Sequence, residues 1–132
     1  KIARKLDAEV INIKLGFSKV DGDDGIIHIC DAGPQEFISI FNSAVYVITD
    51  SFHGTAFSIN FNIPFTTLLN PASNINSRAL SILKQTGMEE RLIYDDGSNK
   101  EPSSLAVDFE PVNKVIEASR TASLEFLREN LA

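Results

Sequence analysis

The stretch "VYVITDSFHGTAFSINFNIPFTTLL", residues 45–69, decides the fold class. Its opening "VYVITD" (45–50) is rich in β-branched and aromatic residues, as a strand requires. "SFHGTAFSINFN" (51–62) then reads as a helix. "IPFTTLL" (63–69) returns to strand character, with Pro64 near its start, where a missing donor is tolerated. Strand, helix and strand in immediate succession are the sequence of a parallel α/β unit.

The same alternation continues on both sides. Upstream, Ile2, Ala3 and Leu6 carry helical spacing, and "EVINIKL" (9–15) alternates β-branched residues. "DGDDG" (21–25) breaks the chain, and the continuous apolar run "IIHIC" (26–30) predicts a strand buried on both faces. "DAGPQEFISIFNSA" (31–44) starts a helix, with Gly33 near the cap, Pro34 in the first turn and Glu36 just inside. Phe37, Ile38, Phe41 and Ala44 are expected as its buried stripe.

Downstream, "NPASNIN" (70–76) is a loop that caps the helix "SRALSILKQT" (77–86), and Gly87 closes that helix. "RLIYD" (91–95) predicts a last short strand. An acidic loop near residues 95–105 leads into "PVNKVIEASRTASLEFLRENLA" (111–132), a long helix. Val112, Val115, Ile116, Ser119, Ala122, Phe126 and Leu127 are expected on its inward face.

The fold class is therefore α/β, a mostly parallel sheet with helices on both faces, spanning 1–132 as one Rossmann-like, three-layer domain. The loops after Asp31, Asp50 and Leu69 would share the carboxyl edge of the sheet, where ligands bind in open sheets of this type. "DSFHG" and "NPASNINSR" should then be neighbours in space.

Composition narrows the function classes. Hydrophobic content of 43% and charged content of 23% are ordinary for a globular domain. No run of about 18 apolar residues could cross a membrane as a helix, and no secretory signal is present. The formal net charge of −6 argues against nucleic acid or an anionic membrane as the main partner. Cys30 is a single cysteine in an apolar run, which points to a buried free thiol. The chain opens inside "KIARKLDAEV" without an initiator methionine and reads as the interior of a longer protein.

Chemistry concentrates where the second strand-helix junction falls. Asp50 or Ser51 can cap the helix by accepting from its first free N–H groups. If a ligand supplies the acceptor instead, the same N–H groups and the positive helix end form an anion site. Gly54 costs helix propensity, which suggests a close backbone approach. Phe52 and Ala56 are expected in the core. His53, about 100° around the helix from Phe52, falls at the rim, where an imidazole can donate to phosphate or accept a hydroxyl proton. The plainer reading makes His53 structural and Ser51 a cap. His28, between isoleucines, reads as structural. Asn74, Asn76, Ser77 and Arg78 stand at the next helix start, and Arg78 can clamp a carboxylate or phosphate in two-pronged fashion.

Other site types are missing from the sequence. There is no GxGxxG and no GxxxxGK[ST]. Two histidines and one cysteine do not make a zinc site, "DGDDG" lacks the ligand spacing of a calcium loop, and Ser51 lies outside any GxSxG.

The residues "AVYVITDSFHGTAFSINFNIPFTTLL", with "GPQEFISIFNSA" before and "NSRALSILKQTGMEERL" after, resemble the C-terminal half of the polysaccharide pyruvyl transferase family, from about Gly33 onward. The resemblance implies the C-terminal, donor-binding half of a GT-B-like enzyme in which two Rossmann-like domains face a cleft. It implies transfer of a pyruvyl group from phosphoenolpyruvate to two hydroxyls of a sugar, giving a cyclic ketal and phosphate. His53 matches the family's histidine and would be catalytic. Ser51, Gly54, Thr55, Asn76 and Arg78 would make up the substrate-binding set, Arg78 matching a basic position after the next strand. Phosphoenolpyruvate would be the donor substrate, with no separate cofactor and no metal. The partners would be a saccharide acceptor and the protein's own N-terminal domain, with the membrane met only through a lipid-linked acceptor. The location implied is cytoplasmic, and such a half would be inactive alone. Two other readings stay open: the C-terminal domain of a nucleotide-sugar glycosyltransferase, with Asp50 and the acids near residue 95 as candidate ribose ligands, and a non-catalytic α/β binding module in which "SFHG" only caps and packs.

Overall fold

A computed structural model of the protein describes residues 1–14, 25–73, 77–98 and 100–131. Its elements run α1 (Ile2–Leu6), β1 (Val10–Ile13), β2 (Ile26–Ile29), α2 (Pro34–Ser43), β3 (Val47–Thr49), α3 (Phe52–Asn60), β4 (Phe65–Leu69), α4 (Ser77–Thr86), β5 (Leu92–Tyr94) and α5 (Glu110–Leu131). All strand pairing is parallel, in a two-stranded sheet β1-β2 and a three-stranded sheet β3-β4-β5. This is the α/β class, consistent with a Rossmann-like three-layer fold. By internal contacts the chain divides into two compact units, Lys1–Val45 and Tyr46–Ala132.

In the first unit, β1 and β2 pair from Val10↔Ile26 to Ile13↔Ile29, and the ladder extends through Lys14 N–H to Ile29 O at 2.9 Å. β2 departs from the expectation of burial on both faces: Ile27 is 46% exposed. A continuous apolar run predicts two covered faces only where neighbours cover both. α2 begins as expected, with Gly33 at the cap and Pro34 at the first position. Its inward stripe is Phe37, Ile40, Phe41 and Ala44, because Ile38 stands outward at 42% exposure. The Phe37 and Phe41 rings lie 4.6 Å apart, one turn from each other.

The second unit is organised around β4. It lies between β3 (Val47↔Phe65, Thr49↔Thr67) and β5 (Thr67↔Leu92, Leu69↔Tyr94). Four of its five residues are buried. Pro64 precedes the strand, and its carbonyl still accepts from Val47 N–H at 2.9 Å, so the missing donor costs the ladder nothing here. Ile59, Phe65, Leu69 and Leu83 are at most 2% exposed, and burying each stabilises by about 1.5–3 kcal/mol. Two helices end in left-handed residues: Asn62 (φ 56°) after α3 and Gly87 (φ 67°) after α4. Each turn is closed by the next residue's N–H, from Ile63 to Ser58 O and from Met88 to Leu83 O, the six-to-one bond of a Schellman cap.

Arg91, just before β5, is 1% exposed. Its Nη1 donates to Ser104 O at 2.8 Å and its Nη2 to Glu90 Oε1 at 3.1 Å, which ties the loop after β5 back to the sheet. α5 corrects the predicted inward face. Val112 is buried and Ile116 half-buried, but Ser119 and Ala122 are exposed, as are Val115 (41%), Phe126 (64%) and Leu127 (47%). Among the described residues the helix packs against α4 only along its first turns. No described helix is long and apolar enough to cross a membrane.

Candidate anion site at the start of α3

The turn from β3 into α3 is held from three sides. Ser51, in extended conformation, is the N-cap, and its Oγ accepts from Gly54 N–H at 2.9 Å. Ser51 N–H in turn donates to Thr49 Oγ1 at 3.1 Å. Thr55 Oγ1 meets Ser51 O at 3.0 Å and Thr67 Oγ1 at 2.9 Å, which anchors the turn to β4. Ser58 Oγ donates to Gly54 O at 2.8 Å one turn further on. Short hydroxyl side chains thus weld the helix to the sheet, a tighter approach than a layer of leucines would permit.

Gly54 is what that closeness demands. A β-carbon at this position would lie 2.8 Å from Thr49 Cβ and 3.0 Å from Thr49 Cγ2. The close approach inferred from the sequence is therefore internal, between α3 and the last residue of β3.

With Gly54 N–H donating to Ser51 Oγ and Thr55 N–H to Ser51 O, two N–H groups at the start of α3 are left over. Those of Phe52 and His53 have no acceptor among the described residues. They open at the carboxyl edge of the sheet, and His53 is exposed. Arg78, from the start of α4, places its guanidinium carbon 5.3 Å from the centre of the Phe52 ring. Phe52 also meets the His53 ring edge-on, with centroids 5.5 Å apart. Free N–H groups at a positive helix end, a guanidinium and an imidazole are a set of donors suited to a phosphate or carboxylate.

The sequence-predicted residues thus separate into groups. Arg78 reaches the ring of Phe52, the residue between Ser51 and His53, so "DSFHG" does neighbour the start of the following helix. Thr55 does not reach the surface: it is fully buried, with its hydroxyl engaged twice, so it is a strut rather than a substrate contact. Gly54 is buried and its N–H is used by the cap. Phe52 and Ala56 are only half-buried, and the sheet-facing side of α3 is Thr55, Ser58 and Ile59. Asn76, with Asn74, lies outside the described residues. The sequence does not single out Thr49 and points Phe52 only to the core, since neither carries a site signal until the turn's geometry is known.

The surroundings are acidic at one point. Asp95 and Asp96 follow β5 at the same edge as His53, and Asp95 N–H donates to Leu69 O at 3.0 Å. Hydrogen bonds from Ser98, and then Lys100 at 3.1 Å, hold the Asp96 carboxyl well below the usual carboxylate range. In the first unit, a recess of about 560 Å³ opens beside Asp31, Gln35, Glu36 and Ser39. Glu36 folds its carboxylate back over Gly33, where a β-carbon would lie 2.7 Å from Oε2. That start of a helix is already neutralised by its own chain, unlike the start of α3. Among the described residues no group of three or more metal-ligating side chains is gathered.

No curated protein sequence and no solved structure matches the chain. The polysaccharide pyruvyl transferase family profile matches residues 1–71. That stretch takes in β1 to β4 with Ser51, His53, Gly54 and Thr55, begins earlier than the resemblance noted from Gly33 onward, and stops before α4 and Arg78. It covers more than half of the 132 residues, and the chain belongs to the polysaccharide pyruvyl transferase family.

Proposed function

We propose that the protein takes part in transferring a pyruvyl group from phosphoenolpyruvate to two hydroxyls of a saccharide, forming a ketal. The observation that carries the reading is the start of α3: two N–H groups with no acceptor among the described residues, an exposed His53, and the Arg78 guanidinium against the Phe52 ring. Phosphoenolpyruvate brings a phosphate and a carboxylate, and a chain of net charge −6 needs such a local positive focus to hold it. In the reaction the methylene carbon of the donor takes up one hydroxyl proton. Both sugar oxygens bond to the neighbouring carbon, and phosphate leaves with the second proton. His53 would donate to the leaving phosphate or accept a hydroxyl proton. The acceptor would be met on the cytoplasmic side, as a free or lipid-linked glycan, with a second domain of GT-B-like architecture contributing to the cleft.

The test is incubation of the intact enzyme with phosphoenolpyruvate and a glycan acceptor, following phosphate release and the ketal methyl resonance. Both should appear with wild type and fall together in His53→Ala. Release of a nucleoside diphosphate from a nucleotide sugar, with no phosphate from phosphoenolpyruvate, would overturn the assignment.

A further inference from the structure

We infer that Phe52 is a positioning residue, an aromatic spacer that fixes the Arg78 guanidinium and the His53 imidazole relative to each other. The inference rests on the anion-site reading given above for its functional half, but its geometric half stands alone. Phe52 and His53 are neighbours on α3, whereas Arg78 arrives from α4 across the sheet edge. The Phe52 ring meets both: Arg78 Cζ lies 5.3 Å from its centroid, and the His53 ring meets it at 5.5 Å with an interplanar angle of 70°.

Three further observations favour this role over core packing. Phe52 is only half-buried and the sheet-facing positions of α3 are occupied by Thr55, Ser58 and Ile59, so the ring is not needed to fill the interior. Arg78 is exposed, no ion pair holds it among the described residues, and its guanidinium carbon lies over the ring face. A guanidinium stacked on a ring keeps its in-plane N–H groups free for a ligand. An acidic partner would occupy them instead. The arrangement holds the cation in place without consuming its donors.

Phe52→Leu keeps an apolar side chain of similar reach and removes the π-face, while Phe52→Tyr keeps it. Proton NMR of Arg78 in the intact protein reads the geometry directly, because protons over a ring face are shifted upfield. The shift should be present in wild type and Phe52→Tyr and absent in Phe52→Leu. Calorimetric titration with phosphoenolpyruvate should show affinity reduced about three-fold in Phe52→Leu, the effect of losing one exposed cation–π contact, and restored in Phe52→Tyr. No upfield shift in wild type would overturn the spacer itself. A shift with unchanged affinity in Phe52→Leu would overturn its positioning role. A shift with no phosphoenolpyruvate binding to wild type would overturn the donor assignment and leave the spacer standing. Thermal melting of all three proteins separates these outcomes from unfolding.

Discussion

Gly54→Ala is the most informative single change, because two principles predict opposite signs. In an exposed helix interior this substitution stabilises by about 1 kcal/mol, since alanine has the better helix propensity. Here the new β-carbon would sit 2.8 Å from Thr49 Cβ and 3.0 Å from Thr49 Cγ2, and closer still to Thr49 Oγ1. Thr49 cannot swing away freely, because its hydroxyl accepts from Ser51 N–H and its backbone pairs with Thr67 in the central strand. Overpacking of this kind costs about 1–3 kcal/mol, and loss of the Thr49–Ser51 bond about 1 kcal/mol more. Against the propensity gain, the net expectation is destabilisation by about 1–3 kcal/mol. Urea denaturation of wild type, Gly54→Ala, Thr49→Ala and the double variant measures it. Removing Oγ1 and Cγ2 relieves most of the collision, so the double variant should be more stable than the sum of the single effects by about 1 kcal/mol. A stabilised Gly54→Ala, or strictly additive effects, would refute the account of why a glycine stands there.

Three further outcomes follow from the site. His53→Ala in the intact enzyme should lower turnover by roughly two to four orders of magnitude, with stability changed by less than about 0.5 kcal/mol because the side chain is exposed; activity retained in His53→Gln but lost in His53→Ala would assign hydrogen bonding rather than proton transfer. Arg78→Lys keeps the charge but loses the planar fork, so phosphoenolpyruvate affinity should fall about tenfold by calorimetry, and an unchanged value contradicts two-pronged recognition. Asp96 has its folded carboxyl held below the ordinary value by Ser98 first and Lys100 after; the stability it lends is therefore present above the ordinary carboxylate range and lost only as pH falls through its lower folded value. A carboxyl-carbon NMR titration should show Asp96 still ionised at pH 3.8, the ordinary midpoint of an aspartate, and half protonation of Asp96 at that pH refutes the hydrogen-bonded turn.

The alternation of elements was legible because each carries its own local punctuation. Gly33-Pro34 opens α2, Ser51 caps α3 and Gly87 closes α4, and these depend on neighbouring residues only. The position of His53 was legible for the same reason, since a strand running directly into a helix sets the edge. What failed needed partners from far along the chain. Thr55 resembles any polar residue at a helix start until Thr67 is seen opposite it. Ile38 and Ile40 are equally apolar, and apolar character alone cannot say which side of a helix meets a neighbour. Phe52 was assigned to the core by its hydrophobicity, yet small hydroxyl residues took the sheet-facing positions and left the ring at the rim. Arg91 illustrates the converse: a charged side chain buried at 1% exposure, with a backbone carbonyl thirteen residues later as its partner, leaves no trace in a hydrophobicity pattern.

The outer part of α5 has a consequence for how the molecule comes apart. From Glu117 to Leu131 every side chain is exposed, over a length of about 22 Å. Among the described residues, its own backbone ladder, local side-chain bonds and the ion pair of Arg120 Nη1 with Glu117 Oε2 at 2.7 Å hold that length in helical form, and such a pair contributes only tenths of a kcal/mol. In this chain its amides should therefore exchange with solvent at the rate of an isolated helix, orders of magnitude faster than those of β4. Trypsin should reach Arg120 and Arg128 without any unfolding of the sheet. Trimming there would leave the cooperative melting of the β3-β4-β5 unit unchanged and would remove Leu124, Phe126, Leu127 and Leu131 from solvent. The shortened chain should then be as stable as the original and more soluble.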